Sequence, residues 1–189
     1  MLWINRRRFE AFGKAFGNIF SKLPLRPNHW TLLSLALSFA VMYLLYAGNF
    51  IAAFIVFIFT MSIDMIDGAV ARKTKTVTKF GGYLDSVTDR LVEFTVIFGL
   101  ILAGYPSAWL FLLMAGSFMS TYARAAAFEK GLKKDIRGGL LEHTDRLLFL
   151  AAIIIVSAFS REYATYMIEL MSILTVLSFA QRLLASVKR

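Results

Sequence analysis

Six apolar stretches set what this chain can become: residues 30–46, 50–70, 82–103, 108–128, 146–159 and 163–184. A helix needs roughly 20 residues to cross about 30 Å of hydrocarbon. Each stretch is long enough once flanking residues are added to the short first and fifth. Inside lipid the backbone must satisfy its own hydrogen bonds, so helices are the form these segments can take. The expected fold is therefore all-α, an integral membrane bundle of six transmembrane helices within residues 30–185. With 58% hydrophobic residues in 189, the chain exceeds the usual 45–50% of a soluble domain. Length allows one domain, residues 1–189, without a separate soluble module. No cysteine is present, which excludes thiolate metal sites, cysteine nucleophiles and a disulfide framework.

Basic residues set the expected orientation. The connectors 47–49, 104–107 and 160–162 hold only Arg161, whereas six Lys or Arg precede Trp30, four lie in 72–79 and six in 124–146. By the positive-inside rule, both termini and the two longer loops face the cytoplasm of a multi-pass cell-membrane protein. A net charge of +9 would by itself admit nucleic acid as a partner. Its interleaving with apolar blocks points to membrane lipid and its phosphates instead. In residues 1–21, Leu2, Phe9, Phe12, Phe16, Ile19 and Phe20 recur at near-helical spacing, with Arg6, Arg7, Arg8 and Lys14 largely off that set. The pattern predicts an amphipathic interfacial helix. Trp30, Trp109 and Tyr105 are expected in the aromatic belts at the membrane surfaces.

Asp64, Asp67, Asp85 and Asp89 interrupt the second and third apolar stretches. The i,i+3 and i,i+4 spacings put each pair on one face of its helix. If the two helices are neighbours, four carboxylates converge near the cytoplasmic surface. Ionisable groups in a span are costly and serve a purpose or pair with one another. A bound cation is the simplest compensation, and all-oxygen ligands favour Mg2+, Mn2+ or Ca2+ over zinc. Four carboxylates suffice for two ions, an arrangement suited to displacement at phosphorus. The competing account has the aspartates capping helices or pairing with Arg72 and Arg90. Gly68, Ala71, Gly81 and Gly82 add small residues that let a ligand or backbone approach closely.

Read in order, Asp64-x2-Asp67-Gly68-x2-Ala71-Arg72-x8-Gly81-x3-Asp85-x3-Asp89 resembles, at all eight fixed positions, the signature of the CDP-alcohol phosphotransferases. Pro27-Asn28-x-x-Thr31 at the start of the first stretch is similar to that family too. The resemblance implies transfer of a phosphatidyl or equivalent group from a CDP-linked lipid to an alcohol, with release of CMP. It implies Asp64, Asp67, Asp85 and Asp89 as ligands of Mg2+ or Mn2+, and Asp89 also as the general base. Asp64, Asp67, Gly68, Ala71, Arg72, Gly81 and Asp85 match positions around the bound nucleotide. A homodimer is implied as well.

The acceptor is less tightly specified. Arg124, Lys133, Lys134, Arg137, Arg146 and Arg182 supply many cations near the expected site, favouring a phosphorylated acceptor. Positive-inside bias accounts for most of them. It accounts least for Arg124 and Arg182, which sit in apolar helical settings. Tyr122, Arg124, Glu142, Arg146, Gln181 and Arg182 match segments that resemble the branch using inositol phosphate. Ala126, His143 and Asp145 stand where that branch carries arginine, arginine and glutamate. Inositol phosphate is the expected acceptor, with glycerol 3-phosphate, serine and inositol as alternatives. His143 is read as a surface residue and His29 as interfacial; Glu93 either tunes the site or pairs with Arg124. A divalent-cation transporter and a membrane-bound scaffold remain rivals of other classes. The transporter would need charges on both halves of a pathway, and the scaffold leaves four spaced aspartates unexplained.

Overall fold

The computed structural model describes residues 26–132 and 140–187, with side chains through 185. Every regular element among them is a helix: α1 (Pro27–Tyr46), α2 (Phe50–Thr74), α3 (Lys79–Leu102), α4 (Ser107–Glu129), α5 (His143–Ser157) and α6 (Arg161–Val187). The expected interfacial helix at 1–21 lies outside the described residues, as do Lys133, Lys134 and Arg137.

Local chemistry explains the helix ends. Pro27 opens α1, where its missing N–H costs nothing. After α1, Gly48 at φ 73° lets its own N–H reach Leu45 O at 3.0 Å and that of Asn49 reach Leu44 O at 2.9 Å. The end of α3 repeats this closure with Gly104 at φ 82°. Asn49 Oδ1 then accepts the Ala52 N–H at 3.3 Å and caps α2. The helices agree with the apolar stretches but differ at their ends. α2 continues past residue 70 to Thr74 and so carries Arg72 as a helical residue. Among the described residues, three helices are long and apolar enough to cross a membrane: Pro27–Tyr46, Phe50–Thr74 and Arg161–Ala185. α3 holds Asp85, Asp89, Arg90 and Glu93, which lower its apolar character, and α5 has only 15 residues.

By contacts the chain forms two compact units, one comprising the chain to Ala40 with Ile55–Thr95, the other Val41–Phe54 with Val96–Arg189. In the first, Trp30 packs with Ile63, Ile66 and Val70, and Leu37 flanks them. The Trp30 side chain is therefore buried where α1 packs on α2. In the second unit, Ser172 Oγ donates to Trp109 O at 2.9 Å, joining α6 to α4. Gly116 of α4 faces the α6 backbone, since a Cβ there would lie 3.3 Å from Val176 N. Tyr105 is also buried, with the Arg161 guanidinium 4.7 Å over its ring. Arg161 further donates to the carbonyls of Ala103 and Gly104. The lone basic residue of the short connectors therefore fastens the α3–α4 turn to the start of α6.

Close backbone approach also fixes α3 against α1 in this unit. A Cβ at Gly99 would meet Leu45 Cδ1 at 2.8 Å and Met42 Cα at 3.0 Å. Gly99→Val should destabilise the protein by about 1–3 kcal/mol through overpacking. Thermal unfolding in detergent micelles checks this, and an unchanged midpoint would contradict the packing described.

Candidate metal centre

In the first unit, α2 supplies Asp64 and Asp67 and α3 supplies Asp85. One carboxylate oxygen from each lies within 4.8 Å of the other two. Asp67 is buried; Asp64 and Asp85 are half-buried. Three anions at such separations in a partly desolvated place repel strongly. Ca2+ and Mg2+ take oxygen ligands at about 2.0–2.6 Å, so oxygens within 5 Å of one another can share one ion. The donor set and its spacing therefore fit a hard divalent cation.

Thr31 of α1 organises this cluster. Its Oγ1 donates to Asp67 Oδ2 at 2.5 Å, in a buried contact across 36 residues of sequence. A hydroxyl in that place selects the carboxylate rotamer and partly offsets its desolvation. Asp89 stands beside the cluster. It lies one turn beyond Asp85 on α3, and its Oδ2 accepts Arg90 Nη1–H at 2.8 Å. The pairing of an aspartate with Arg90 is thus real, and it coexists with the three-carboxylate cluster. Glu93, one turn further along α3, is fully buried.

A cavity of about 330 Å³ opens against these carboxylates. Of the expected nucleotide-site residues, Asp67, Gly68, Ala71, Arg72, Gly81 and Asp85 line it, while Asp64 does not. The glycines have visible reasons. Arg72 folds back one turn, so that a Cβ at Gly68 would lie 3.1 Å from its Nη1. A Cβ at Gly81 would lie 3.1 Å from Thr78 Oγ1 and 3.4 Å from Asn28 Oδ1. Thr78 caps α3 by accepting the Gly81 N–H at 2.9 Å. The start of α3 at the rim favours an anion there through its free N–H groups and dipole. Asn28, Thr31, Thr76, Val77 and Thr78 also line the cavity. The first two belong to the Pro27-Asn28-x-x-Thr31 pattern, which was a signal for them. The other three lie in a connector without one.

The expected acceptor cations that are described belong to the second unit. Arg124 is exposed on α4. Arg182 is buried and donates Nη1–H to Ser120 O at 2.9 Å. Arg146, only 1% exposed, lies 3.5 Å from His143 Nδ1. Gln181 Oε1 accepts the Leu140 N–H at 3.1 Å, and Asp145 Oδ2 accepts the Glu142 N–H at 3.1 Å. Gln181 and Asp145 thus hold the approach to α5.

Two changes probe the centre without reference to turnover. Asp67→Asn should abolish tight Mn2+ binding, and Thr31→Val should weaken it about 10-fold by releasing the Asp67 rotamer. Electron paramagnetic resonance of free Mn2+ over purified protein reads both. Wild-type affinity in Thr31→Val would show that the hydroxyl does not order the ligand.

Comparison with known proteins now bears on this geometry. Residues 25–181 match the family described as CDP-alcohol phosphatidyltransferase. An archaetidylinositol phosphate synthase of Pyrococcus horikoshii is 33% identical, covering 92% of this chain and 89% of its own. A phosphatidylinositol phosphate synthase of Corynebacterium glutamicum is 32% identical, covering 76% of this chain and 68% of its own. The crystal structure of Mycobacterium tuberculosis phosphatidylinositol phosphate synthase with manganese and citrate superposes with a TM-score of 0.83. It is 26% identical, over 93% of this chain and 89% of that one. The same enzyme with CDP-DAG bound gives a TM-score of 0.81 at 26% identity, over 94% of this chain and 97% of that one. The chain belongs to the CDP-alcohol phosphatidyltransferase family.

Proposed function

We propose that this chain is a membrane enzyme of phospholipid biosynthesis. It transfers a phosphatidyl or archaetidyl group from a CDP-linked lipid to a hydroxyl of inositol phosphate and releases CMP. The observation that carries this reading is the cluster of Asp64, Asp67 and Asp85 set against a cavity lined by Gly68, Arg72 and Gly81. The solved relative with manganese and the one with CDP-DAG support the same pairing of metal and donor. The named acceptor comes from relatives called archaetidylinositol and phosphatidylinositol phosphate synthases.

Each residue then has a task. Gly68, Ala71 and Gly81 leave room for the nucleotide to lie on the backbone. Arg72 and the N-terminus of α3 meet its phosphates. The chemistry that Mg2+ or Mn2+ supplies when bound, two ions in this reading held by Asp64, Asp67, Asp85 and Asp89, is charge neutralisation on the pyrophosphate. Asp89 accepts the proton of the acceptor hydroxyl. The acceptor oxygen forms a bond to the lipid-bearing phosphorus, the bond from that phosphorus to the bridging oxygen breaks, and CMP leaves with the electron pair. Arg124, Arg146 and Arg182, with Lys133, Lys134 and Arg137, bind the acceptor phosphate.

The setting completes the proposal. The six described helices span the bilayer as one membrane domain, residues 1–189. Both termini and the metal centre face the cytoplasm, and two copies form a homodimer.

Purified protein supplied with Mn2+ and a CDP-lipid should release CMP when inositol phosphate is added, and not with glycerol 3-phosphate, serine or inositol. Asp89→Asn should lower that rate by about 10²–10⁴-fold, the range for loss of a general base. Release with glycerol 3-phosphate alone would keep the donor chemistry and overturn the acceptor. No release with any acceptor, from folded protein, would favour a cation transporter.

A further inference from the structure

The fourth aspartate of the motif has a charged partner of its own, from the same helix. Arg90 Nη1 donates to Asp89 Oδ2 at 2.8 Å and to Ser86 O, one turn back on α3, at 3.2 Å. The two contacts pin the guanidinium to α3 and aim it at Asp89. Both side chains are largely withdrawn from solvent, at 21% exposure for Arg90 and 15% for Asp89. Arg90 Nε is buried with no hydrogen-bond partner. A guanidinium free to choose would turn that donor to solvent, so the ion pair holds it against a desolvation cost.

We propose that Arg90 is a positioning residue that divides the labour among the four carboxylates. It occupies one oxygen of Asp89 and thereby limits this residue to a single oxygen that can face the ion site or a substrate proton. Asp64, Asp67 and Asp85, which converge without it, are left as the principal ligands. Without Arg90 both oxygens of Asp89 could swing to a divalent ion, the strongest local charge. With both oxygens on ions, the carboxylate would have none left to take the proton. Arg90 also places a positive charge beside the cation site, which weakens ion binding by Coulomb repulsion.

The consequence is a pair of effects of opposite sign, which a purely structural role does not produce. Arg90→Met should bind Mn2+ about 3–10-fold more tightly, because a positive charge is removed and a carboxylate oxygen released. Its kcat should fall about 10-fold or more with little change in KM for the CDP-lipid, the mark of a group acting at the reacting stage. Arg90→Lys, which keeps the charge, should return Mn2+ affinity close to wild type. Mn2+ resonance titration and CMP release on full-length protein in detergent give both readouts. Weaker or unchanged Mn2+ binding in Arg90→Met would overturn the proposal, whatever the rate. If that variant does not fold, Arg90→Gln removes the charge while keeping a donor for Ser86 O and takes its place. The turnover arm rests on the proposed reaction. A wild type that releases no CMP would count against that reaction, and the Mn2+ comparison alone would then decide the role of Arg90.

Discussion

Three carboxylates held together in a partly buried place are the constraint on which the first unit depends. Asp64, Asp67 and Asp85 bring oxygens within 4.8 Å of one another, and anions so placed in a medium of reduced dielectric repel. An apolar row at these positions of α2 and α3 would pack with less penalty. The arrangement persists because other groups share the cost. Thr31 donates to Asp67, and Arg90 neutralises Asp89 alongside. The residual negative field is what a divalent ion would occupy.

That constraint explains the small residues around it. Gly68 lets Arg72 fold back over its own helix, and Gly81 lets Thr78 and Asn28 close on the start of α3. The cavity between them is thus walled by backbone and short side chains, with one arginine over the floor. A pyrophosphate would find a cation site, a helix N-terminus and a guanidinium within one small volume. The second unit is built differently. There, buried serine and arginine side chains tie helices through backbone carbonyls, as Ser172 does to Trp109 and Arg182 to Ser120.

Much of this was legible from residue spacing. The i,i+3 pair on α2 announced a shared face, and Asp85 joined it as expected. Apolar stretches located the six described helices, because burial in lipid or in protein demands the same run of residues. Their ends were less legible, since α2 continues through Arg72 and Lys73 once its apolar face is spent. The packing of Trp30 against Ile63, Ile66 and Val70 was not legible, because hydropathy does not say which neighbour an indole meets. The Thr31–Asp67 hydrogen bond joins residues 36 apart and leaves no periodic trace. Arg90 was harder still: residues i and i+1 do not face each other on a helix. Only the length of the arginine side chain, bent back to Ser86 O, allows it to meet Asp89.

The most direct test is to locate the ion. Crystals grown with Mn2+ should show an anomalous scattering peak bounded by Asp64, Asp67 and Asp85, and the peak should vanish in Asp67→Asn. A peak elsewhere, or none at a concentration that supports CMP release, would contradict the claim that these carboxylates were brought together to hold a cation.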